Sequence, residues 1–322
     1  MSTALVARAP TRLDFGGGWT DVPPYPEREG GIVCCAAITR YATASVRLAP
    51  ANGAASADAL VRAAIARSPL SGAHAELACD YPVGAGLGGS SAAGVALAGA
   101  LAALAGQSLG RHALAQLSRR TEVEELHVSG GYQDHFAAAF GGVLKLTFGD
   151  TVQVERIPAS GAARAALARR AILVYTGESR ISGEQIEAVR QAYVGGEGRV
   201  VRALARMKFL AGEMCTALAH DDIDALGALL DEHWLHQRSL HPSISTARID
   251  AMAEATARAG GLGMKALGAS GGGCVIAIAR DGREDELASA LAPHGTRLTY
   301  AVDETGFEVI AALDASAGMA HP

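Results

Sequence analysis

The chain alternates between two hydrophobic patterns without a strict β-α-β-α rhythm. One is the short apolar run typical of a strand, and the other is the spacing of three and four positions typical of a helix. The β-branched and aliphatic runs predict strands near the start of the chain, at residues 5–9, 13–15, 31–38 and 39–48. The last two of these are expected to pair with each other. Helical spacing predicts the longest helices at residues 93–105, 111–126, 199–218 and 223–239. This mixture predicts an α+β protein.

A buried strand at residues 171–176 (AILVYT) divides the chain into two parts. It follows an alanine- and arginine-rich stretch at residues 159–170 that is typical of a boundary region. Four helical stretches and a closing set of short strands come after it. We therefore predict two lobes, residues 1–168 and 169–322, each long enough to build its own core.

The stretch from residue 82 to residue 92 (PVGAGLGGSSA) joins a predicted strand at residues 75–81 to the apolar helix at 93–105. A glycine-rich turn that runs into a helix leaves several backbone N–H groups unpaired at the positive end of the helix dipole. These groups form a binding site for an anion, and the two serines can cap the helix or reach a phosphate-bound metal. The loop is therefore predicted to bind phosphate.

Two familiar phosphate loops fit this stretch poorly. A Walker A loop requires a lysine that is absent here. The run from Gly84 to Gly89 satisfies the dinucleotide fingerprint G-x-G-x-x-G, but that fingerprint needs an acidic residue about 20 positions later. The chain has Arg111 and His112 in that region instead. A glycine turn with a purely structural role stays open at this point.

Three further segments carry candidate chemistry. Three glycines followed by Trp19 and Asp21 suit a small polar ligand, although a tight turn with a capping aspartate is the alternative. Asp134, after a Gly-Gly turn, is either the cap of a short helix or a functional carboxylate, and base rates favour the cap. A third glycine-rich segment at residues 265–274 is either a binding loop or a hairpin. The upstream acids Glu122, Glu124 and Glu125 lie on a predicted helix and, taken alone, form a solvated helix face.

Composition excludes several classes of protein. The net charge of −5 and an aromatic content of 5% argue against a nucleic-acid-binding surface. The most apolar run, residues 92–106, is too short for a membrane span, which needs about 20 residues. Five cysteines without a C-x-x-C pair argue against zinc, and together with the lack of a leader-like start they predict reduced thiols and a cytoplasmic location.

Together the segments resemble the GHMP small-molecule kinases. The shared motifs are P-x-R…T-D near residue 10, P-x-G-x-G-L-G-x-S-S-A near 82, G-x-x-D near 131 and K-x-x-G-A-x-G-G-G-C near 265. Three runs look most like the kinases of D-glycero-D-manno-heptose 7-phosphate and the related fucokinases. These are G-G-G-W-T-D-V-P-P-Y, G-G-Y-Q-D-H-F-A-A-A-F-G-G and the segment that contains His233 and Trp234.

The resemblance implies a two-lobed GHMP kinase fold with nucleotide and substrate sites in the cleft between the lobes. It implies ATP and Mg²⁺ as cofactors. It also implies the phosphorylation of a sugar at its anomeric hydroxyl, with D-glycero-D-manno-heptose 7-phosphate as the first candidate substrate. A fucokinase-like or other sugar 1-kinase and a non-catalytic sugar sensor are the alternatives. A small-molecule sugar, and neither nucleic acid nor membrane, is the expected partner; the oligomeric state, a homodimer included, stays open. Galactose is disfavoured because the G-E-H-T-D run of galactokinases is absent.

The resemblance also assigns roles to individual residues. Asp134 is the expected base for the sugar hydroxyl, with Arg12 beside it. Ser90 and Glu122 are expected to hold Mg²⁺, with Glu125 as the competing choice. The residues expected to line the ATP phosphates are Pro82, Gly84, Ala85, Gly86, Leu87, Gly88, Gly89, Ser90 and Ser91. The residues expected to bind substrate are Asp21, Gly17, Gly18, Trp19, Gly131, Arg180, Gly271 and Gly272. Arg180, Lys208 and Arg238 are candidates to bind a substrate phosphate, and surface charge is the alternative for all three.

Overall fold

The β-branched and apolar runs form two antiparallel sheets in the computed structural model, which describes residues 3–50, 56–128, 130–178 and 183–314. The strands are β1 (Thr3–Gly16), β2 (Gly31–Leu48), β3 (Ala73–Cys79), β4 (Val143–Phe148), β5 (Gln153–Arg156), β6 (Ala171–Tyr175), β7 (Gly263–Ala266), β8 (Cys274–Ile278), β9 (Thr296–Leu298) and β10 (Glu308–Asp314). The first sheet has the order β10-β1-β2-β4-β5, with β3 also paired to β2, and the second has the order β7-β8-β6-β9.

Helices cover both sheets, so the predicted α+β class is confirmed. They are α1 (Tyr25–Glu29), α2 (Ala59–Ala66), α3 (Gly89–Leu104), α4 (Arg111–Arg120), α5 (Gln133–Phe140), α6 (Gly161–Arg170), α7 (Gly183–Val194), α8 (Gly198–Ala219), α9 (Ile223–Ser239), α10 (Ala247–Arg258) and α11 (Glu284–Leu291). A π-helical turn, Thr121–Glu125, follows α4, and a short 3₁₀ turn, Ala292–His294, follows α11.

The first two strands are longer than the sequence predicts. The runs at 5–9 and 13–15 belong to one strand, β1, and the runs at 31–38 and 39–48 form the single strand β2 instead of a pair. No turn residue separates Ile38 from Tyr41, and the β1–β2 register shifts between Pro10 and Thr11 at this point. Extra residues in one strand bend it without reversing it. The predicted hairpin within residues 31–48 is therefore wrong.

The stretch at residues 159–170 is largely a helix and not a linker. Ser160 caps α6, because its side chain accepts a hydrogen bond of 3.0 Å from the Ala163 N–H. The chain then enters β6, the first strand of the second sheet. The last strand, β10, returns to pair with β1 in the first sheet. The predicted assignment of all of residues 169–322 to the second lobe is thus corrected for β10; the boundary after residue 168 stays a prediction.

Helix α3 lies in the centre of the first lobe and positions the glycine loop. It is apolar on all sides, and every residue from Ser91 to Ala102 is buried. Small residues let it approach its neighbours: a side chain at Gly99 would overlap the Phe307 ring, 2.2 Å from its nearest atom. A second core joins Leu13 and Phe15 of β1 to residues of the second sheet and of α8. This second core also includes Ala85 and Leu87, so the glycine loop that precedes α3 packs between the two sheets.

Candidate active site

A cavity of about 640 Å³ opens where the three glycine-rich segments and the start of α5 meet. Most of the residues predicted from the sequence line it: Arg12, Gly18, Trp19, Asp21, Pro82, Gly84, Ala85, Gly86, Leu87, Gly88, Gly89, Ser90, Gly131 and Asp134. Other predicted residues are not part of its wall: Gly17, Ser91, Glu122, Gly271 and Gly272. Arg180 lies outside the described residues.

The loop between β3 and α3 has a backbone that requires glycine. Gly84, Gly86 and Gly88 have φ values of 73°, 72° and 73°, a region that L side chains rarely adopt. A Cβ at Gly88 would also lie 3.0 Å from the Asp134 Cγ atom. Within the described part of the chain no side chain caps α3, so the N–H groups of its first turn are available to an anion.

The third glycine-rich segment supports this loop from behind. The Cys274 N–H donates a hydrogen bond of 2.8 Å to the Ala85 carbonyl, and a Cβ at Gly86 would lie 2.7 Å from the Leu267 carbonyl oxygen. Gly271 donates to the Ile244 carbonyl, and a Cβ at Gly272 would lie 2.6 Å from the Glu178 carbonyl oxygen. Neither glycine lines the cavity, and a side chain at Gly272 would meet the backbone of Glu178. Their predicted substrate contacts stay a prediction.

Gly17 is closely packed and does not line the cavity, and its predicted substrate contact stays a prediction. Its φ is 86°, and a Cβ there would lie 1.9 Å from the Ile32 carbonyl oxygen. The Gly17 N–H donates a hydrogen bond of 2.9 Å to Nε2 of His233, which is fully buried on α9. Burial lowers the pKa of His233 well below its ordinary value, so the ring is neutral and accepts this bond. His233 is therefore an anchor for the first glycine segment.

Arg12, which is buried, and Asp134, which is partly exposed, form an ion pair beside the glycine loop. Nε and Nη2 of Arg12 each lie 2.7 Å from Asp134 Oδ1. Nη1 of Arg12 donates to the Gly86 carbonyl at 2.6 Å, and the Arg12 N–H donates to the Leu87 carbonyl at 3.0 Å. Burial alone would lower the pKa of Arg12, but Asp134 and Asp14 raise it. The pair fixes the carboxylate against the loop and leaves Asp134 Oδ2 as an acceptor.

Asp21 caps the helix that carries Asp134. Its Oδ2 accepts hydrogen bonds from the Tyr132 and Gln133 N–H groups, at 2.8 and 2.9 Å. Gly131 is needed beside it, since a Cβ there would lie 2.0 Å from the same oxygen. The interpretation of Asp134 as the cap is therefore wrong: Asp21 takes that role, and Asp134 is free for chemistry. The second oxygen of Asp21, Oδ1, is buried and has no partner among the described residues.

The burial of Asp21 has a consequence for stability. Desolvation raises the pKa of its carboxyl to about 6, with Asp134 and Asp14 adding to the rise and the Gln133 N–H opposing it. A raised carboxyl pKa stabilises the folded state most at low pH, and this contribution is lost as the pH rises to about 6. We expect Asp21→Asn to remove it. The unfolding free energy of the variant, relative to the parent, should rise by up to about 3 kcal/mol between about pH 4 and about pH 7.

Urea unfolding of both proteins across this pH range measures the difference. Asp222, which caps α9 from an exposed position, provides the matched aspartate-to-asparagine control for the loss of a cap alone. Parallel pH profiles for the parent and Asp21→Asn would contradict the assignment.

Glu122 lies beside the serines of the glycine loop. Its Oε1 accepts a short hydrogen bond from Ser90 Oγ, and its Oε2 lies 3.3 Å from Ser91 Oγ and 3.0 Å from Nε2 of the buried His135. Burial would raise the pKa of Glu122, but the bonds from His135 and the two serines outweigh it and lower that pKa. Ser118 Oγ in turn lies 3.0 Å from His135 Nδ1 and fixes the ring.

The competing choice for a metal ligand, Glu125, points elsewhere: it pairs with Arg67 at 3.4 Å. The π-helical turn at Thr121–Glu125 turns Glu122 towards the loop and Glu125 away from it. One carboxylate and one hydroxyl suit Mg²⁺, which keeps several waters and takes its other ligands from phosphates. The donor set of Glu122 and Ser90 therefore fits magnesium, and that role stays a prediction.

Sequence reasoning missed four residues of this site, namely Asp14, Gln133, His135 and Lys265, and gave His233 no role. Asp14 and Lys265 are polar residues within apolar strands, a pattern that indicates a buried pair. The substrate-phosphate candidates Lys208 and Arg238 do not line the cavity, and Lys208 donates to the Glu29 carbonyl at 2.8 Å.

Two family models match the chain. The model of the GHMP kinases N terminal domain matches residues 53–142, and that of the GHMP kinases C terminal domain matches residues 214–295. Together they span more than half of the sequence, and the chain belongs to the GHMP kinase family.

Curated relatives include three kinds of kinase. D-glycero-alpha-D-manno-heptose 7-phosphate kinase of Campylobacter jejuni is 28% identical over 66% of this chain and 62% of its own length. Mevalonate kinase of Pyrococcus furiosus is 29% identical over 74% of this chain and 69% of its own length. The bifunctional fucokinase/GDP-fucose pyrophosphorylase of Arabidopsis thaliana is 24% identical over 88% of this chain. The match spans only 31% of the length of that relative.

Solved structures share the fold. A D-glycero-D-manno-heptose 1-phosphate kinase from Bacteriodes thetaiotaomicron superimposes with a TM-score of 0.76 at 22% identity and covers 98% of this chain and 100% of its own. Galactokinase of Lactococcus lactis, complexed with galactose, gives 0.74 at 17% identity and 95% of each chain. These likenesses confirm the GHMP kinase fold. In the described part of the chain every helix is too short or too polar to cross a bilayer.

Proposed function

We propose that the protein transfers the γ-phosphoryl group of ATP to the anomeric hydroxyl of a sugar or sugar phosphate, with D-glycero-D-manno-heptose 7-phosphate as the first candidate. The observation that supports it best is the position of the Arg12–Asp134 pair in the cavity wall. Arg12 donates to the Gly86 and Leu87 carbonyls of the glycine loop, the anion site at the start of α3, and Asp134 lies on the helix that Asp21 caps. This arrangement suits phosphoryl transfer, because the pair contacts both the anion site and the helix held by Asp21.

The residues of the pair have complementary roles in such a transfer. Phosphoryl transfer depends mainly on positioning and on the neutralisation of charge, because the transition state is loose. A general base must be within hydrogen-bond reach of the proton that it takes. Asp134 Oδ2 can take this role if the attacking hydroxyl binds beside it. Arg12 holds Oδ1, orients the carboxylate and places a fixed positive charge beside the loop. Glu122 and Ser90 would hold Mg²⁺, which when bound neutralises charge on the phosphates.

A polyhydroxylated substrate is supported by two lines of argument. The first is the heptose 7-phosphate kinase among the relatives. The second is the wall around Asp21 and Trp19, where a carboxylate oxygen and an indole N–H are buried without partners in the described part of the chain. The similarity to a mevalonate kinase favours mevalonate as the second candidate.

An ADP-release assay over a panel of substrates tests the proposal. The panel contains heptose 7-phosphate, free heptose, L-fucose, galactose and mevalonate, with Asp134→Asn as the inactive control. We expect ADP release with the heptose or another polyol and none with mevalonate. Turnover of mevalonate alone would replace the sugar by the second candidate, and sugar binding without ADP release would indicate a sensor.

The magnesium role of Glu122 gives a separate prediction. Glu122→Gln keeps the size of the side chain but removes a charge, so the Mg²⁺ concentration for half-maximal activity should rise about 10-fold or more. Binding of Mn²⁺ in the presence of a non-hydrolysable ATP analogue, followed by electron paramagnetic resonance, should weaken in parallel. Glu125→Gln, three residues away and paired with Arg67, is the matched control. Equal effects of the two substitutions would refute the choice of Glu122.

A further inference from the structure

A buried ion pair lies under the substrate side of the cavity. Lys265 on β7 is completely inaccessible to solvent, and its Nζ donates to the backbone carbonyl of Asp14 on β1 at 2.8 Å. The same Nζ lies 3.1 Å from Asp14 Oδ2. Burial lowers the pKa of Lys265, and Asp14 opposes that effect. The lysine therefore ties the second sheet to the first and fixes one oxygen of the Asp14 carboxylate.

The other oxygen of Asp14 is unsatisfied. Asp14 is 1% exposed and lines the cavity, yet its Oδ1 has no hydrogen-bond partner among the described residues. A buried polar atom without a partner is costly, and in native proteins it usually points to a ligand, a water or a functional role. The contact with Lys265 involves only Oδ2 and the backbone carbonyl of Asp14, so the ion pair by itself does not account for Oδ1.

Other polar atoms near Asp14 are also buried without hydrogen-bond partners among the described residues. Gly18 leaves room beside it: a Cβ there would lie 2.4 Å from Asp14 Oδ2 and 3.1 Å from Gln133 Nε2. Three other buried atoms in the same cavity wall also lack partners in the described part of the chain: Trp19 Nε1, Asp21 Oδ1 and Gln133 Oε1. Carboxylate oxygens accept hydrogen bonds. This wall is therefore complementary to a ligand that presents several O–H donors.

We propose that Asp14, held by Lys265, is a specificity-determining residue that accepts a hydrogen bond from one substrate hydroxyl while Asp21 accepts one from another. The pocket then selects polyols over substrates with a single free hydroxyl besides the reacting one. This inference rests on the proposed function and deepens it, since it names two carboxylates that would select a polyol as the substrate. Asp14 contacts the bound substrate away from the reacting oxygen, so its effect falls on substrate binding and orientation.

Steady-state kinetics of Asp14→Asn tests the inference on the best polyol substrate of the panel. An asparagine can still accept from Lys265, but it then directs an N–H₂ group where Oδ1 was. We expect KM for the polyol to rise about 10- to 100-fold while KM for ATP stays within about twofold. Asp14→Glu retains the charge for Lys265 but displaces the oxygen, and it should raise KM for the polyol too. An unchanged KM for the polyol in a folded variant would overturn the proposal.

Monodeoxy analogues of the same substrate keep the inference testable even if both variants fail to fold. In the parent enzyme, removal of each of two non-reacting hydroxyls should lower kcat/KM by about 10-fold or more. In Asp14→Asn one of these two removals should have no additional effect. If fewer than two hydroxyls matter in the parent enzyme, the inference is wrong. If the parent enzyme phosphorylates no polyol at all, the proposed function itself has failed.

Discussion

Replacement of Asp134 by asparagine is expected to lower kcat by at least about 10²-fold, with a modest change in KM for ATP. Asparagine has almost the same shape and can still accept from Arg12, but it cannot take the proton of the attacking hydroxyl. Because the glycine loop is untouched, nucleotide binding should persist. Initial rates of ADP release at saturating ATP and sugar measure the effect, and a fluorescent ATP analogue measures binding.

Glu124→Gln is the matched control for the loss of one carboxylate in this region. Glu124 is exposed and pairs with Arg67 outside the cavity, so its neutralisation should leave kcat within about twofold. Near-normal turnover by Asp134→Asn would sink the assignment of the base. Loss of ATP binding in that variant would instead indicate that Asp134 shapes the loop through its contact with Gly88.

Replacement of Arg12 by methionine is expected to have the largest effect on stability, because it leaves the partly buried Asp134 carboxylate and the Gly86 carbonyl without their donor. The guanidinium binds the Asp134 carboxylate and the Gly86 carbonyl, and Arg12 itself is only 3% exposed. Removal of one partner of a fully buried ion pair costs about 3 kcal/mol or more, and the partial exposure of Asp134 reduces this cost to about 2 kcal/mol. We expect the free energy of unfolding to fall by about this amount and kcat to fall by at least about 10²-fold.

A double-mutant cycle separates these two effects. In Arg12→Met combined with Asp134→Asn no unpaired carboxylate remains, so part of the lost stability should return. Activity should not return, since both groups act in transfer. Additive losses of stability in the double variant would show that Arg12 and Asp134 are not coupled, contrary to the geometry of the pair. Arg12→Lys, which keeps the charge but not the two-nitrogen contact, should lie between the parent and Arg12→Met.

The parts of the fold that depend on local hydrophobic pattern could be predicted from the sequence. The α+β class and the positions of most helices follow from apolar spacing, and α9 begins and ends where that spacing predicts. The long strand β2 was mistaken for a hairpin because a bulge interrupts the period without a turn. The return of β10 to the first sheet could not be foreseen, since strand pairing over about 300 residues depends on tertiary packing and not on local sequence.

The site could be predicted where a residue type has few structural roles besides the proposed one. Positive φ values explain the glycines of the loop. The roles of Glu122 and Asp134 were predicted from the resemblance to the GHMP kinases, because the residues alone favoured a solvated helix face and a helix cap. The division of labour between Asp21 and Asp134 was not predictable, because an aspartate after a Gly-Gly turn is a good cap on its own. Only the fold shows that Asp21 caps α5 from more than 100 residues away. Asp14, Lys265 and His135 find their partners in the same way, through tertiary structure.

The most direct test of the proposed transfer is ³¹P nuclear magnetic resonance of the product formed from ATP, Mg²⁺ and the polyol that gives the fastest ADP release. We predict one new phosphate resonance coupled to the anomeric proton of the sugar, formed by the parent enzyme and lost in Asp134→Asn. A new phosphate coupled to any other carbon of the sugar would contradict the assignment of the anomeric hydroxyl. A spectrum with only ADP and free phosphate would contradict transfer to a sugar altogether.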